Sequence, residues 1–398
     1  MELSGEGGEA QGTGDMVLPL LYSAVAVALG GAVLRLLLRQ ELESGLAAAL
    51  RLLLALFSQP LCSMAMPGYP GLCLFSLACL LAYSRLPVPQ LLPVQGKAIL
   101  ITGCDSGFGH ALAKYLDKLG FTVFAGVLYL DGPGAQDLKM CGSDRLTVLQ
   151  LDVTSSEQIA ETFEHVKAQL KNRGLWGIVN NAGVLEFVAD AELLPMNIFK
   201  HCMAVNFFGA VEVTKIFLPL LRQAKGRLVN VTSVAGVTPL LGFAGYGASK
   251  AALNMFSNIL RSEIAIWGVK VAIIQPTSFR TGIFGTSDQW SNQHKKLMQY
   301  LSPDVRKDYG ESYITSCIDN RAKYHDESRE DLQTVLDDIS LALMAKNPKR
   351  VYSPGQAALY LPFLHQYAPT CIFEYVMISL VGSGLNQPDG VKEKGSHQ

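Results

Sequence analysis

Tyr246 and Lys250 stand four residues apart in a run that also holds Ala248, Ala251, Ala252 and Leu253, and Ser233 precedes the tyrosine by thirteen residues. Residues at i and i+4 share one face of a helix, so a helix here brings a phenol and an ammonium together. An isolated phenol titrates near ~10, and a fixed cation beside it stabilises the tyrosinate. The spacing therefore predicts a lowered pKa for Tyr246 and a general base usable near physiological pH. A Tyr-x-x-x-Lys match arises easily by chance, and its weight comes from what precedes it.

The elements that must carry these side chains are legible upstream. Lys97–Thr102 reads as a short buried strand, Gly103-Cys104-Asp105-Ser106-Gly107-Phe108-Gly109 as a glycine-rich turn, and His110–Leu119 as a helix. Glycines let the backbone turn tightly and approach a pyrophosphate at the helix N-terminus, where amides are free. Strands follow over Thr122–Val127 and Leu146–Leu151, and two more close at Val179-Asn180-Asn181-Ala182-Gly183 and Arg227–Ser233. Strands alternating with helices predict an α/β fold, a Rossmann-type doubly wound parallel sheet, with ligands outside the carboxyl ends of the strands. Ser233 is thereby delivered to that edge. Asp152, closing the third strand, reads equally as an adenine contact or as a helix N-cap with Thr154.

Cofactor choice turns on charge. The 2′-phosphate of NADP needs a cation in the glycine turn or near the end of the second strand, and neither offers one. The turn carries Asp105 and Ser106, and the strand end reads Gly126-Val127-Leu128-Tyr129-Leu130-Asp131. The acid that usually holds the ribose is missing too, because Val127 stands at its expected place. NAD is the expected cofactor.

In order and spacing, the Thr102–Gly109 turn, Asn180–Gly183, Ser233, Tyr246 and Lys250 resemble the short-chain dehydrogenase/reductase family, over roughly residues 96–290. The resemblance implies that Tyr246 is the acid/base and that Ser233 orients the substrate oxygen. Lys250 would bind the nicotinamide ribose and tune Tyr246, and Asn206 would hold a proton-relay water. It implies cofactor contacts from Thr102, Gly103, Asp105, Ser106, Gly107, Phe108, Gly109, Asp152, Val153, Asn180, Ala182, Gly183, Tyr246, Lys250, Pro276 and Thr281. One departure stands out. The family's Pro-Gly after the next strand is here Pro276-Thr277, which leaves that loop less permissive. Longer phrases, Lys114–Leu128, Cys202–Gly209, Glu212–Arg222 and Gly285–Asp288 with Trp290, resemble the family's 17β-hydroxysteroid dehydrogenase branch. That branch implies oxidation of estradiol to estrone and of testosterone to androstenedione, at the endoplasmic reticulum membrane. The 11β-hydroxysteroid and retinol dehydrogenases are the alternatives that share every catalytic residue, and a membrane-tethered nucleotide-binding scaffold is the alternative outside enzymes. The sequon Asn230-Val231-Thr232 lies on the strand leading to Ser233, where a glycan would block folding.

Composition frames the rest. Of the 398 residues 49% are hydrophobic and 17% charged, with the apolar excess gathered before residue 90. The net charge of −1 and the absence of a long Lys/Arg block exclude a nucleic-acid footprint. The eight cysteines form no C-x-x-C pair and the seven histidines show no ligand spacing, so no metal is expected and a reducing compartment is. Met16–Leu34 is an uncharged stretch of the length that crosses a bilayer, preceded by Glu2, Glu6, Glu9 and Asp15 and not by the basic segment of a signal peptide. A second run, Leu52–Tyr83, is interrupted by Pro60, Pro67 and Pro70 and reads as one kinked span or a re-entrant hairpin. Arg35, Arg39 and Arg51 between the runs place the N-terminus on the lumenal side. The expected organisation is thus a membrane anchor and proline-rich linker over 1–95, a catalytic domain over 96–345, and an apolar extension over 346–398. Partners are a steroid, the lipid bilayer and a second copy in a homodimer. Residues 282–300 read as a lid over an apolar pocket or as a surface excursion, and 321–331 as a solvated helix face. Ala357–Leu364 and Cys371–Leu380 border the steroid entrance, rest on the membrane, or simply pack.

Overall fold

A computed structural model describes residues 14–38, 46–85, 90–285, 287–317, 328–355, 357–381 and 385–395, and the chain divides into two compact units, Met1–Leu91 and Leu92–Gln398. The early acidic residues 2, 6 and 9, Arg39, the linker residues 86–89 and most of the charge-rich segment 321–331 lie outside the described residues.

The first unit is helical: α1 Gly14–Leu38, α2 Leu46–Phe57, α3 Gln59–Ala65 and α4 Tyr69–Ser84. The second uncharged run is built of three helices, with α4 packed against both α2 and α3. Its prolines explain the breaks. Pro60 and Pro70 each occupy the first turn of a new helix, where a missing N–H costs nothing, and Gly68 before the second restart has φ 82°. Tyr22 and Phe75 pack at 5.5 Å between ring centroids in a core shared by α1 and α4. Leu54, Phe57, Leu61, Met64 and Leu80 face outward. The described apolar stretches are Val17–Val33, Leu50–Ala65 and Tyr69–Ser84. Among the described residues the helix that meets the length and hydropathy of a span is Met196–Ala224, which is 50% buried within the second unit.

The second unit holds a seven-stranded sheet in the order β3-β2-β1-β4-β5-β6-β7, every neighbouring pair parallel. The strands are β1 Ala98–Ile101, β2 Thr122–Val127, β3 Leu146–Gln150, β4 Gly177–Asn180, β5 Arg227–Val231, β6 Lys270–Ile274 and β7 Val351–Tyr352. The doubly wound sheet expected from the sequence is present. Its last strand comes from the segment read as a C-terminal extension.

Strands buried on both faces need apolar residues on both, and β1 shows how. Ile99 and Ile101 join one core with Leu112 and Leu116 of α5 (Gly107–Leu119). Leu100 joins the opposite core with Phe217 of α9 (Ala210–Ala224) and Leu260 of α10 (Ala244–Ile264). The chain winds from β1 outward to β3, then returns to lay β4 on the other side of β1. That reversal opens a crevice at the carboxyl ends of β1 and β4, the switch point at which such sheets bind ligands.

Candidate active site

The glycine turn after β1 is pressed against the end of β4. Gly103 has φ +70°, and a Cβ there would lie 2.8 Å from the Ala182 Cα. At Gly109 a Cβ would run into the Gly103 carbonyl oxygen, so α5 begins as close to the turn as backbone allows. Thr102 Oγ1 fastens the contact by accepting from the Asn181 and Ala182 amides at 3.1 and 3.0 Å. Asn181 Nδ2 replies by donating to the Thr102 and Gly103 carbonyls at 2.9 and 3.0 Å.

The acid/base candidates come from the next strand and the helix after it. Ser233 follows β5, where its Oγ accepts from the Ala235 amide at 3.1 Å, and α10 presents Tyr246 and Lys250 one turn apart. Lys250 is 3% exposed, its Nζ donates to the Val231 carbonyl at 3.0 Å and lies 5.7 Å from the Tyr246 ring centroid. Burial lowers the ammonium pKa to about 8. Burial also pushes the Tyr246 phenol up to about 12, with a hydrogen bond from Ser233 pulling it partly back. The lowered phenol pKa expected from the Tyr-x-x-x-Lys spacing is therefore not found. Desolvation of the buried phenolate is the largest cause, with the Ser233 hydrogen bond opposing it.

Asn206 is fully buried in a π-helical turn, Ala204–Gly209, between α8 (Met196–Met203) and α9. Its Oδ1 accepts from the Val184 amide at 2.8 Å, while Nδ2 donates to the Val184 carbonyl at 3.0 Å and to Ser249 Oγ at 2.9 Å. Ser249 Oγ in turn donates to the Tyr246 carbonyl at 2.7 Å. Asn206 thus ties the loop after β4 to the catalytic helix, and both ends of its amide are engaged. Gly183 permits this closeness, because a Cβ there would sit 3.2 Å from Lys250 Nζ and 3.3 Å from Asn206 Oδ1.

These groups surround one cleft of about 500 Å3. Of the expected site residues, Gly103, Asp105, Ser106, Gly107, Phe108, Asp152, Val153, Ala182, Gly183, Ser233, Tyr246, Lys250, Pro276 and Thr281 line it. Thr102, Gly109, Asn180 and Asn206 stand behind the wall. Asn180 is 3% exposed and donates to Asn230 Oδ1 at 2.8 Å and Thr214 Oγ1 at 2.9 Å, a brace between β4, β5 and α9. Asn181, which sequence reasoning passed over, lines the cleft. The available signal was its place as the first residue past the end of β4, where ligands bind.

Two local expectations change. Asp152 Oδ1 accepts from the Thr154 amide and hydroxyl at 2.8 and 2.7 Å, but the cap of α7 (Ser156–Leu170) is Ser155, which accepts from Gln158 N–H. Asp152 therefore shapes a turn at the cleft wall and is not the helix cap. Thr277 costs the loop nothing, because among the described residues the non-glycines with positive φ are Lys171, Asn172 and Lys225. A glycine is not needed there. The Thr277 amide donates to the Pro354 carbonyl at 3.3 Å and the Pro276 carbonyl accepts from Val234 N–H at 3.2 Å.

Beyond Tyr246 the wall is apolar, with Leu185, Leu240, Phe243, Ile283, Phe284 and Leu361. Ile283 and Phe284 begin the segment read as a lid or an excursion, and its helices pack. Leu297 of α11 (Ser287–Tyr300) is buried with Leu193 and Ile314. Tyr309, closing α12 (Pro303–Tyr309), donates to Glu192 at 2.9 Å, and Tyr313 donates to Asp190 at 2.7 Å. Leu361 belongs to the C-terminal helix Ala357–Tyr367 and packs with Leu240 around Phe373 and Met377 of the helix Thr370–Val381. One of the two apolar C-terminal segments thus reaches the cleft.

The glycine cradle at the switch point has the form that a dinucleotide pyrophosphate requires, since each Cβ it lacks would close it. A family profile described as short chain dehydrogenase matches residues 97–292. The chain is 50% identical over 314 residues to the 17-beta-hydroxysteroid dehydrogenase type 2 of Homo sapiens, across 79% of this chain and 81% of that protein. It is 45% identical over 335 residues to the 11-beta-hydroxysteroid dehydrogenase type 2 of Bos taurus, across 84% of this chain and 82% of that protein. Among solved structures, a short-chain dehydrogenase from Streptomyces avermitilis aligns with a TM-score of 0.57 and 26% identity, over 72% of this chain and 98% of that one. Identity at this level along most of a known dehydrogenase, on a sheet of this order, settles the family: the chain belongs to the short-chain dehydrogenases.

Proposed function

We propose that this oxidoreductase uses NAD to oxidise the 17β-hydroxyl of steroids, estradiol to estrone and testosterone to androstenedione. One observation carries the proposal: Ser233, Tyr246 and Lys250 meet at one cleft that also presents the apolar side chains Leu185, Leu240, Phe243, Ile283, Phe284 and Leu361 to a rigid hydrocarbon. The 50% identity to a 17-beta-hydroxysteroid dehydrogenase supports the position of attack.

Gly103–Gly109, Asp152, Val153, Ala182, Gly183, Lys250, Pro276 and Thr281 would hold the dinucleotide. When bound, NAD supplies the acceptor for the hydride that leaves the carbinol carbon, and its oxidised ring adds positive charge at the cleft. Tyr246 takes the hydroxyl proton onto its phenolic oxygen. Ser233, whose hydroxyl favours the ionised phenol, holds the steroid oxygen beside it. Lys250 would bind the nicotinamide ribose and keep a cation near the Tyr246 ring. Asn206 fixes Val184 and Ser249 through its side chain and would hold the water through which the proton leaves.

The first unit's helices carry apolar side chains on outward as well as inward faces, which supports a membrane anchor, and the endoplasmic reticulum is the membrane we assign to it. Exposed Tyr360, Phe363, Tyr367 and Tyr375 give the C-terminal helices the amphipathic aromatics favoured at a bilayer surface. Exposed Phe208, Met255 and Ile259 near and on α10 form an apolar surface suited to a second copy.

A panel measuring reduction of NAD and NADP with estradiol, testosterone, cortisol and retinol tests the assignment. Highest kcat/KM for a 17β-hydroxysteroid with NAD is expected. Preference for cortisol would move the function to the 11β position, as the 45% identical relative suggests, and preference for retinol would remove it from steroids.

A further inference from the structure

The acid missing from the end of β2 is present in space. We infer that Asp105, carried on the glycine turn, occupies the ribose-binding position with its carboxylate and makes the cleft select NAD over NADP. The inference rests on the NAD reading above and gives it a positive determinant in place of absent cations.

Asp105 accepts through Oδ1 and Oδ2 from the Leu128 amide at 3.0 and 2.9 Å, and through Oδ1 from the Tyr129 amide at 3.2 Å. Since β2 ends at Val127, these are the first two amides beyond its carboxyl end. The turn is drawn there by the Cys104 amide, which donates to the Gly126 carbonyl at 2.8 Å. Gly134 lets the next helix, Pro133–Cys141, close over it, because a Cβ at that position would collide with the Asp105 carbonyl oxygen.

Asp105 and Leu128 both line the cleft. A carboxylate offers about four acceptor sites. Two backbone amides leave capacity for a ribose hydroxyl, which can donate, and a 2′-phosphate at the same place brings like charge without a donor. Nothing on the described lining offsets that charge. Lys250 is held at the end of β5, three strand spacings or roughly 14 Å from β2 across the sheet. His201 is paired with Glu186. Lys139 reaches the same loop but donates to the Leu130 carbonyl at 3.0 Å and does not line the cleft.

The test is direct binding to the full-length protein in detergent, with NADH and NADPH titrated by fluorescence, and 5′-AMP and 2′,5′-ADP used as displacing ligands. Wild type is expected to bind NADH at least about 30-fold more tightly than NADPH, roughly 2 kcal/mol of discrimination. Asp105→Asn keeps an acceptor for the Leu128 and Tyr129 amides and removes the charge. It is expected to shrink the NADPH/NADH ratio about tenfold, mainly by tightening NADPH, with 2′,5′-ADP gaining on 5′-AMP in step. Asp105→Ser is the second variant and decides the matter if the asparagine variant does not fold. A variant that loses both dinucleotides equally, with the ratio unchanged, would show that the carboxylate only braces the loop and would overturn the inference. Failure of the NAD reading looks different: wild type itself would bind both dinucleotides alike.

Discussion

Lys250 and Tyr246 are shifted in opposite directions by the same cause, burial, and both shifts have measurable signs. The ammonium titrates near 10.5 in the unfolded chain and at about 8 in the fold. Between those values the unfolded chain holds a proton that the folded chain has released, so this group's contribution to stability rises as pH climbs from about 8 to 10.5. Below about 8 the full penalty of a buried ammonium is present. Lys250→Met is therefore expected to stabilise the protein at pH 7 by about 1–3 kcal/mol. The same variant should lose turnover by about 100-fold or more, and its advantage in thermal melting should fade toward pH 10. For the phenol, the Ser233 hydrogen bond is the influence that lowers its pKa. Ser233→Ala should thus move the alkaline rise of kcat/KM to higher pH as well as reduce its plateau, which a pH–rate profile reads directly. Both residues were legible from their spacing once the glycine turn, the Asn180–Gly183 strand end and Ser233 stood before them. The sign of the Tyr246 shift was not, because spacing reports which groups meet and not how deeply they are buried. Asp105 shows the same limit, since its sequence place is in the turn while its carboxylate acts at the end of β2.

At the level of elements, the π-helical turn is what lets Asn206 serve two partners. One amide side chain pairs both backbone groups of Val184 and reaches Ser249 on α10, so the loop after β4 and the catalytic helix are positioned together. Asn206→Ala strands a buried N–H and a carbonyl, which costs about 1–3 kcal/mol for each group left unsatisfied. Thermal denaturation should show a loss of several degrees, with kcat falling further than stability alone explains, and Asn206→Asp should fall between, since it still accepts from Val184 N–H. The sequence could not announce this turn. A π turn has no residue signature comparable to the glycines of the β1 turn, and a buried asparagine in an apolar run reads as an oddity until its partners are seen. The loop after β6 errs the other way. The missing glycine read as a departure, yet the Thr277 backbone never enters the region that only glycine favours.

For the whole molecule, a doubly wound parallel sheet followed from alternation of apolar strands and amphipathic helices, while its last strand escaped, since Val351–Tyr352 is too short to carry a period. The apolar N-terminal region was legible as composition but not as architecture, because where the second apolar run breaks depends on which prolines begin new helices. If the first unit lies within a bilayer, the protein should stay with membranes through an alkaline carbonate wash and leave them only with detergent. Recovery in the aqueous fraction would argue for a peripheral or soluble protein. The central claim joins Tyr246, the cofactor and the steroid in one reaction, and it is tested most directly with estradiol carrying deuterium at carbon 17. Purified protein given this substrate and NAD should form estrone, place the deuterium on the reduced nicotinamide, and show a rate that Tyr246→Phe lowers by about 100-fold or more. Label released to water, or a Tyr246→Phe protein that turns over as wild type does, would contradict it.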